Sequence, residues 1–267
     1  MIDPPGRPEP PVGEGRERPD RRTGRWRFAA FSGWIADMSI HSFHLARPPL
    51  PQAVGALRRP PAAPGLRHME VLAGMELGAP VVSPRRMLLR RLAVFAEWED
   101  EAALEAFLAE DRFGRTLAAG WHVRLAFLRR WGSVRELDHL PAETGRTDPA
   151  EPVVAVTLAR MRLPELPRFL HWGRPVERQV RDHPETTLAL AAMRPVRTVA
   201  TFSVWTSSRA MTGMVFGRGA DAHVHHEAMA ERERRDFHHE FTTMRFRPLS
   251  EHGAWQGRTG IVPGLRG

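Results

Sequence analysis

Cysteine, lysine and tyrosine are all absent from this chain of 267 residues. Without cysteine there can be no disulfide, no thiolate metal site and no thiol nucleophile. All 39 basic residues are therefore arginine. Nothing titrates between histidine and arginine, so the isoelectric point of about 11.3 overstates a net charge of only +8. That charge is weak evidence for a nucleic-acid partner, and none is expected. Long apolar runs are lacking too, since none nears the roughly 18 residues of a membrane span. Met1-Ile2-Asp3-Pro4-Pro5 has no basic segment leading into an apolar one, so no secretory signal is visible and the cytosol is the expected compartment. Nucleophile elbow, Walker and Rossmann glycine motifs and His-Glu-x-x-His are missing as well.

What is there begins after residue 27. Residues 1–27 are almost wholly Pro, Gly, Arg, Glu and Asp and read as a disordered arm, because such chain cannot bury enough apolar area to offset its ordering. Phe28 to Ile35 with the alternating Met38, Ile40 and Phe43 read as a first strand, and Leu50 to Leu57 as a short helix bounded by prolines. Met69 to Met75 and Met87 to Trp98 follow as strand candidates. Asp100 then caps an amphipathic helix with Leu104, Phe107 and Leu108 on one side, and Trp121 to Leu128 alternates again. The order is β, α, β, β, α, β.

Residues 141–151 form a polar linker, after which the same order returns. Val153 to Met161 is a strand, Pro164 to Arg181 a helix, Thr186 to Met193 and Val196 to Trp205 two strands. Ser207 to Arg235 is helical with a break near Gly217 to Asp221, and Phe241 to Phe246 is the last strand. A residue-level trace supports the repeat: Leu92 to Trp98 aligns with Val199 to Trp205, placing Phe95 on Phe202 and Trp98 on Trp205. The expectation is an α+β fold of two tandem ferredoxin-like βαββαβ halves, at 28–140 and 152–258, with a tail at 259–267. The halves would pack sheet to sheet as a single-chain dimeric α+β barrel enclosing an apolar cavity.

At this point the residues resemble the spheroidene monooxygenase family, over roughly 34–258. The stretch from Thr201 to Met211 carries the likeness, with Phe216-Gly217-Arg218, His223, Phe246 to Ser250 and the turn from Gly253 to Gly257. Pro64 to Arg67 and Trp98 to Leu104 add to it. The resemblance implies a haem-dependent monooxygenase of a carotenoid-like or other lipophilic small molecule. It implies His223 as the axial ligand and Arg218 as a propionate partner, with the electron donor unspecified.

Residues alone leave more open. Five of the 13 histidines fall in 223–239. On one helix His223, His226 and Glu227 would share a face, which suits an axial imidazole with a carboxylate nearby, a His/His/Glu metal site, or simply a solvated polar face. His238 and His239 read as structural residues at the entry of the last strand. Phe95, Trp98, Phe202, Trp205 and Phe246 are candidates for an apolar substrate pocket or for ordinary core. Cofactor-free oxygenation in a dry pocket, and non-catalytic haem or lipid binding, are the competing functions.

Overall fold

The structure, a computed structural model, describes residues 39–80, 83–145, 147–195, 197–216, 227 and 230–265. The proposed arm, and the Phe28–Met38 part of the first strand, lie outside them. Eight antiparallel strands close into one barrel: β1 (Ile40–Ala46), β2 (Leu66–Met75), β3 (Leu88–Trp98), β4 (Trp121–Ser133), β5 (Val153–Met161), β6 (Thr186–Arg194), β7 (Thr198–Trp205) and β8 (His238–His252). Around the barrel they run β1-β3-β2-β6-β7-β5-β8-β4. Each set of four thus has its first strand flanked by its third and fourth, and its second strand outside the third.

The register repeats with the order. Ile40 faces Trp98 and Phe43 faces Phe95 across β1 and β3, as Val153 faces Trp205 and Val156 faces Phe202 across β5 and β7. The inner faces of the two sets of strands meet across the barrel interior, and the sets are also closed at both edges. They join edge to edge, through β4 and β8 along eleven paired residues and through β2 and β6 along only three, Ala73–Met193 to Met75–Ala191. Edge joining leaves no free strand edge, whereas two stacked sheets would leave four.

Alternation along each strand divides the apolar residues between an inner and an outer face. Phe43, Leu72, Phe95, Trp121, Leu125, Phe127, Val156, Phe202 and Phe246 fill the middle of the barrel. The space expected between two sheets is therefore occupied by rings. A smaller cavity of about 550 Å³ opens where β2 and β6 meet loosely, beside Leu45, Leu188 and Trp255.

On the outer face of the first half, α1 (Leu50–Arg58), α2 (Glu101–Glu110) and α3 (Arg112–Ala118) cover the sheet. Asp100 accepts a hydrogen bond from the Ala103 amide, 2.8 Å, and Asp111 accepts from Phe113 and Gly114, so each carboxylate satisfies donors that the helix start leaves free. Gly114 is required there: a Cβ would lie 1.9 Å from the Phe107 carbonyl oxygen. Leu104, Phe107, Leu108, Phe113 and Leu117 then press onto Val71, Leu92, Val94 and Trp98 in a closed layer.

The second half carries α4 (Leu166–Asp182) and α5 (Ser208–Phe216) on its outer face, with a helical turn at 230–234. α4 is amphipathic, yet Leu170 is its one buried side chain. Its apolar stripe of Phe169, Trp172, Val176 and Val180 stands over open space instead of a packed wall. No helix among the described residues is long and apolar enough to cross a membrane.

Candidate functional site

That space is a cavity of about 850 Å³ between the outer face of β5–β8 and the helices of the second half. Its roof is Phe169, Trp172, Val176 and Val180 from α4 with Met211, Met214 and Val215 from α5. Its floor is made of small outward residues: Ala155, Thr157 and Ala159 on β5, Ala189 and Ala191 on β6, Thr201 and Ser203 on β7.

Strand pairing lets corresponding positions in the two sets of strands be compared. Val71 pairs with Val94 in the first half where Ala191 pairs with Thr201 in the second, and Met69 pairs with Ala96 where Ala189 pairs with Ser203. At two of these four positions alanine stands where the first half has a larger side chain, Ala191 against Val71 and Ala189 against Met69, while Thr201 matches Val94 in size and Ser203 stands against Ala96. Each lost methylene gives up packing that the fold would otherwise gain, so a site of this size matches binding rather than stability.

The wall is mainly apolar, and its ionisable groups are Glu177, Arg232, Glu233, His238 and Arg245. His238, at the start of β8, has its ring against Phe169, Phe237 and Phe241, with centroids 5.4, 5.8 and 5.1 Å away. Neither ring nitrogen has a hydrogen-bond partner. Burial first, then the charge of Arg232, lowers its pKa to about 4, with Asp236 opposing and Arg162 adding to the shift. The imidazole is therefore neutral near pH 7.

Arg245 lies further along the same face of β8. Its guanidinium sits 4.6 Å from the centre of the Trp131 ring, and that of Arg129 sits 4.1 Å from it. Burial, then Arg129, pulls the Arg245 pKa below its usual value. Among the described residues no carboxylate pairs with Arg245.

Of the residues singled out by sequence, Trp205 and Phe202 touch this cavity. Phe95 and Phe246 lie in the barrel interior, their centroids 5.7 Å apart, and Trp98 packs under α2 with its ring 5.0 Å from Phe107. His223, His226 and Arg218 lie outside the described residues. Among the described residues no group of three His, Asp or Glu could hold a metal ion.

The sequence reading passed over Phe169 and Trp172 as site residues, and over the small floor positions. The signal lies in Val71 and Met69 against Ala191 and Ala189, whose correspondence follows from strand pairing and falls outside the matched stretches Leu92–Trp98 and Val199–Trp205.

A barrel of this kind defines an α+β class with known members. Aldoxime dehydratase OxdRE, solved in complex with butyraldoxime, matches with a TM-score of 0.53 at 9% identity, covering 85% of this chain and 86% of that one. An anthrone oxidase-like protein matches with a TM-score of 0.31 at 14% identity, covering 86% and 98%. In sequence, the chain is similar to spheroidene monooxygenase from Rubrivivax gelatinosus, 31% identical over 171 residues. The match takes in 63% of this chain and 64% of that protein's length. No protein-family model matches the chain.

Proposed function

We propose that this protein is a haem-dependent monooxygenase whose lipophilic, carotenoid-like substrate and cofactor are held in the cavity of the second half. The observation that carries the reading is the cavity itself: about 850 Å³, walled by aromatic and aliphatic side chains over a floor of Ala, Thr and Ser. Its volume falls in the upper part of the range for small-molecule and cofactor sites. The sequence similarity to spheroidene monooxygenase supports the reaction class.

The same reading makes the chain two fused ferredoxin-like halves. One half keeps a closed outer layer and acts as scaffold; the other has its outer layer opened for a ligand. The repeated strand order and register support this.

Haem suits the residues present. Apolar walls would hold the macrocycle, and Arg245, which has no carboxylate partner among the described residues, would take a carboxylate of the occupant. Haem when bound would supply oxygen activation; the resemblance implies His223 as the residue that would ligate it and Arg218 as a propionate partner, and His226 is a further candidate by its helical spacing from His223. The chain's own part is to keep water out with Phe169, Trp172, Met211 and Met214, and to set the orientation of a long apolar molecule. Absorption spectra of protein expressed with haem supply test the proposal. A Soret band that is lost in His223→Ala and kept in His225→Ala is the expected result; protein that never takes up haem removes the cofactor role.

A further inference from the structure

Arg129 and Arg245 stand directly opposite each other on the paired strands β4 and β8. Like charges in that position destabilise a sheet, and here both guanidiniums also share one indole, that of Trp131, at 4.1 and 4.6 Å. Glu143 lies 3.9 Å from Arg129. No described carboxylate answers Arg245, which is half-buried and faces the apolar cavity. A partly desolvated cation with a second cation beside it costs stability unless an anion completes the cluster. The planar guanidinium accepts a carboxylate through two parallel N–H···O bonds, and the indole face holds the plane in place.

We infer that Arg245, steadied by Trp131 and seconded by Arg129, is a carboxylate-binding site at one end of the cavity, so that the occupant is an apolar molecule with an acidic end. This rests on the reading of the cavity as a ligand site. The carboxylate can belong to a long-chain acid or to a haem propionate, and these share one recognition chemistry. His238 lies seven residues away along the strand, roughly 20 Å at about 3.3 Å per residue. The charged end and the buried imidazole are thus at opposite ends of the space, which suits an elongated molecule.

The test uses the full chain and two matched pairs of probes. Dodecanoate and dodecan-1-ol are compared by tryptophan fluorescence, to which Trp131, Trp172 and Trp205 on the cavity wall would respond. Haem and its dimethyl ester are compared by Soret absorption. A charge-assisted bond predicts that the acid member of at least one pair binds about tenfold more tightly than its neutral partner. In Arg245→Gln that preference disappears while the neutral probe binds as before. Arg245→Lys, which keeps the charge without the fork, retains part of it. Arg247→Gln, at an exposed position on the same strand, leaves it intact. Loss confined to the haem pair assigns the site to a propionate; loss in the dodecanoate pair assigns it to a long-chain acid. Acid preferences that survive in Arg245→Gln overturn the inference alone. Failure of all four probes to bind wild-type protein overturns it together with the cavity reading. Thermal melting guards against misfolding: removing one of two opposed cations is expected to leave the midpoint unchanged or raised.

Discussion

Phe43 and Phe202 stack face to face at the middle of the barrel, their ring centroids 3.6 Å apart and their planes 9° from parallel. They come from β1 and β7, strands that are not neighbours, so the contact crosses from one set of four strands to the other. A ring pair of this kind adds about 0.5–1.5 kcal/mol beyond the burial of its area. Phe202 is 1% exposed, and its truncation leaves a void that surrounding strands cannot collapse into without breaking ladder hydrogen bonds. Phe202→Ala is expected to lower stability by about 3–5 kcal/mol. Urea unfolding followed by fluorescence and by far-ultraviolet circular dichroism should remain coincident, since the lost contact serves both sets of strands. Separate transitions would show that the halves unfold independently.

A second bond between the halves is ionic. Glu70 on β2, 1% exposed, accepts a hydrogen bond from Arg160 on β5 and lies 3.2 Å from Arg194 on β6. Burial pushes its carboxyl up, but hydrogen bonds from His68 and Arg160 and the two arginine charges outweigh it and hold the pKa at about 2. Glu70→Gln keeps the shape and removes the charge, leaving Arg194 without it and Arg160 with Glu136 at 3.1 Å. The guanidiniums left behind are partly exposed and one keeps a partner, so the expected cost is about 1–3 kcal/mol. A loss below 1 kcal/mol in denaturant titration would mean the cluster is better hydrated than its burial indicates.

Much of this architecture could be read in the residues. Strands and helices from Ile40 to Phe246 show clear periods of two or of 3.6, and Asp100 marks its helix by a visible cap. The match of Phe95 with Phe202 and of Trp98 with Trp205 already held the repeat. Edge joining of the halves was not legible, because it depends on the β4–β8 and β2–β6 pairings, whose residues look like any other half-buried strand. The cavity was missed for a related reason. Aromatic residues drew attention, and Phe95, Phe246 and Trp98 are large because they fill space. The site is marked instead by the small residues Ala189 and Ala191, whose meaning emerges only against Met69 and Val71, their larger counterparts in the first half.

Acid should weaken the fold early. His41, His44, His122 and His238 are all held below the usual imidazole pKa, chiefly by burial: His41 to about 3, His122 and His238 to about 4, and His44 well below its ordinary value. His44, His122 and His252 form a column of stacked rings, 5.1 and 4.8 Å between centroids, with Arg124 and Glu105 as the charged neighbours of His122. These folded-state values lie beneath that of the unfolded chain, so below about pH 6.5 the unfolded state binds protons that the folded state refuses. Stability is full above that pH and falls as the pH drops toward 4, by up to about 1.4 kcal/mol per pH unit for each histidine. Glu70 adds a later loss, between its unfolded value of 4.5 and about 2. The urea midpoint is expected to be level from about pH 8 to 7 and to decline steeply by pH 5. A level midpoint down to pH 5 would show that these rings accept protons in the folded state.

Val94 and Thr201 give the sharpest test of the division of labour between the halves. They hold equivalent places: Val94 pairs with His44 and Val71, and Thr201 with Thr157 and Ala191. Val94 is 0% exposed beneath the helices of the first half, whereas Thr201 looks into the cavity. The same enlargement should therefore have opposite consequences. Val94→Phe forces a ring into a filled layer and is expected to cost about 1–3 kcal/mol. Thr201→Phe places its ring in existing space against Phe169 and Trp172, so the thermal midpoint should hold or rise. Binding should reverse the order. Thr201→Phe is expected to lose most of its affinity for dodecan-1-ol or haem, because the ring takes up volume the ligand needs, while Val94→Phe, once shown to be folded, binds as wild type. Equal stability losses in the two variants would mean that the second half is as closely packed as the first, and that the cavity is not open in solution. Unchanged binding in Thr201→Phe would place the ligand elsewhere, with the smaller space beside Trp255 the next site to probe.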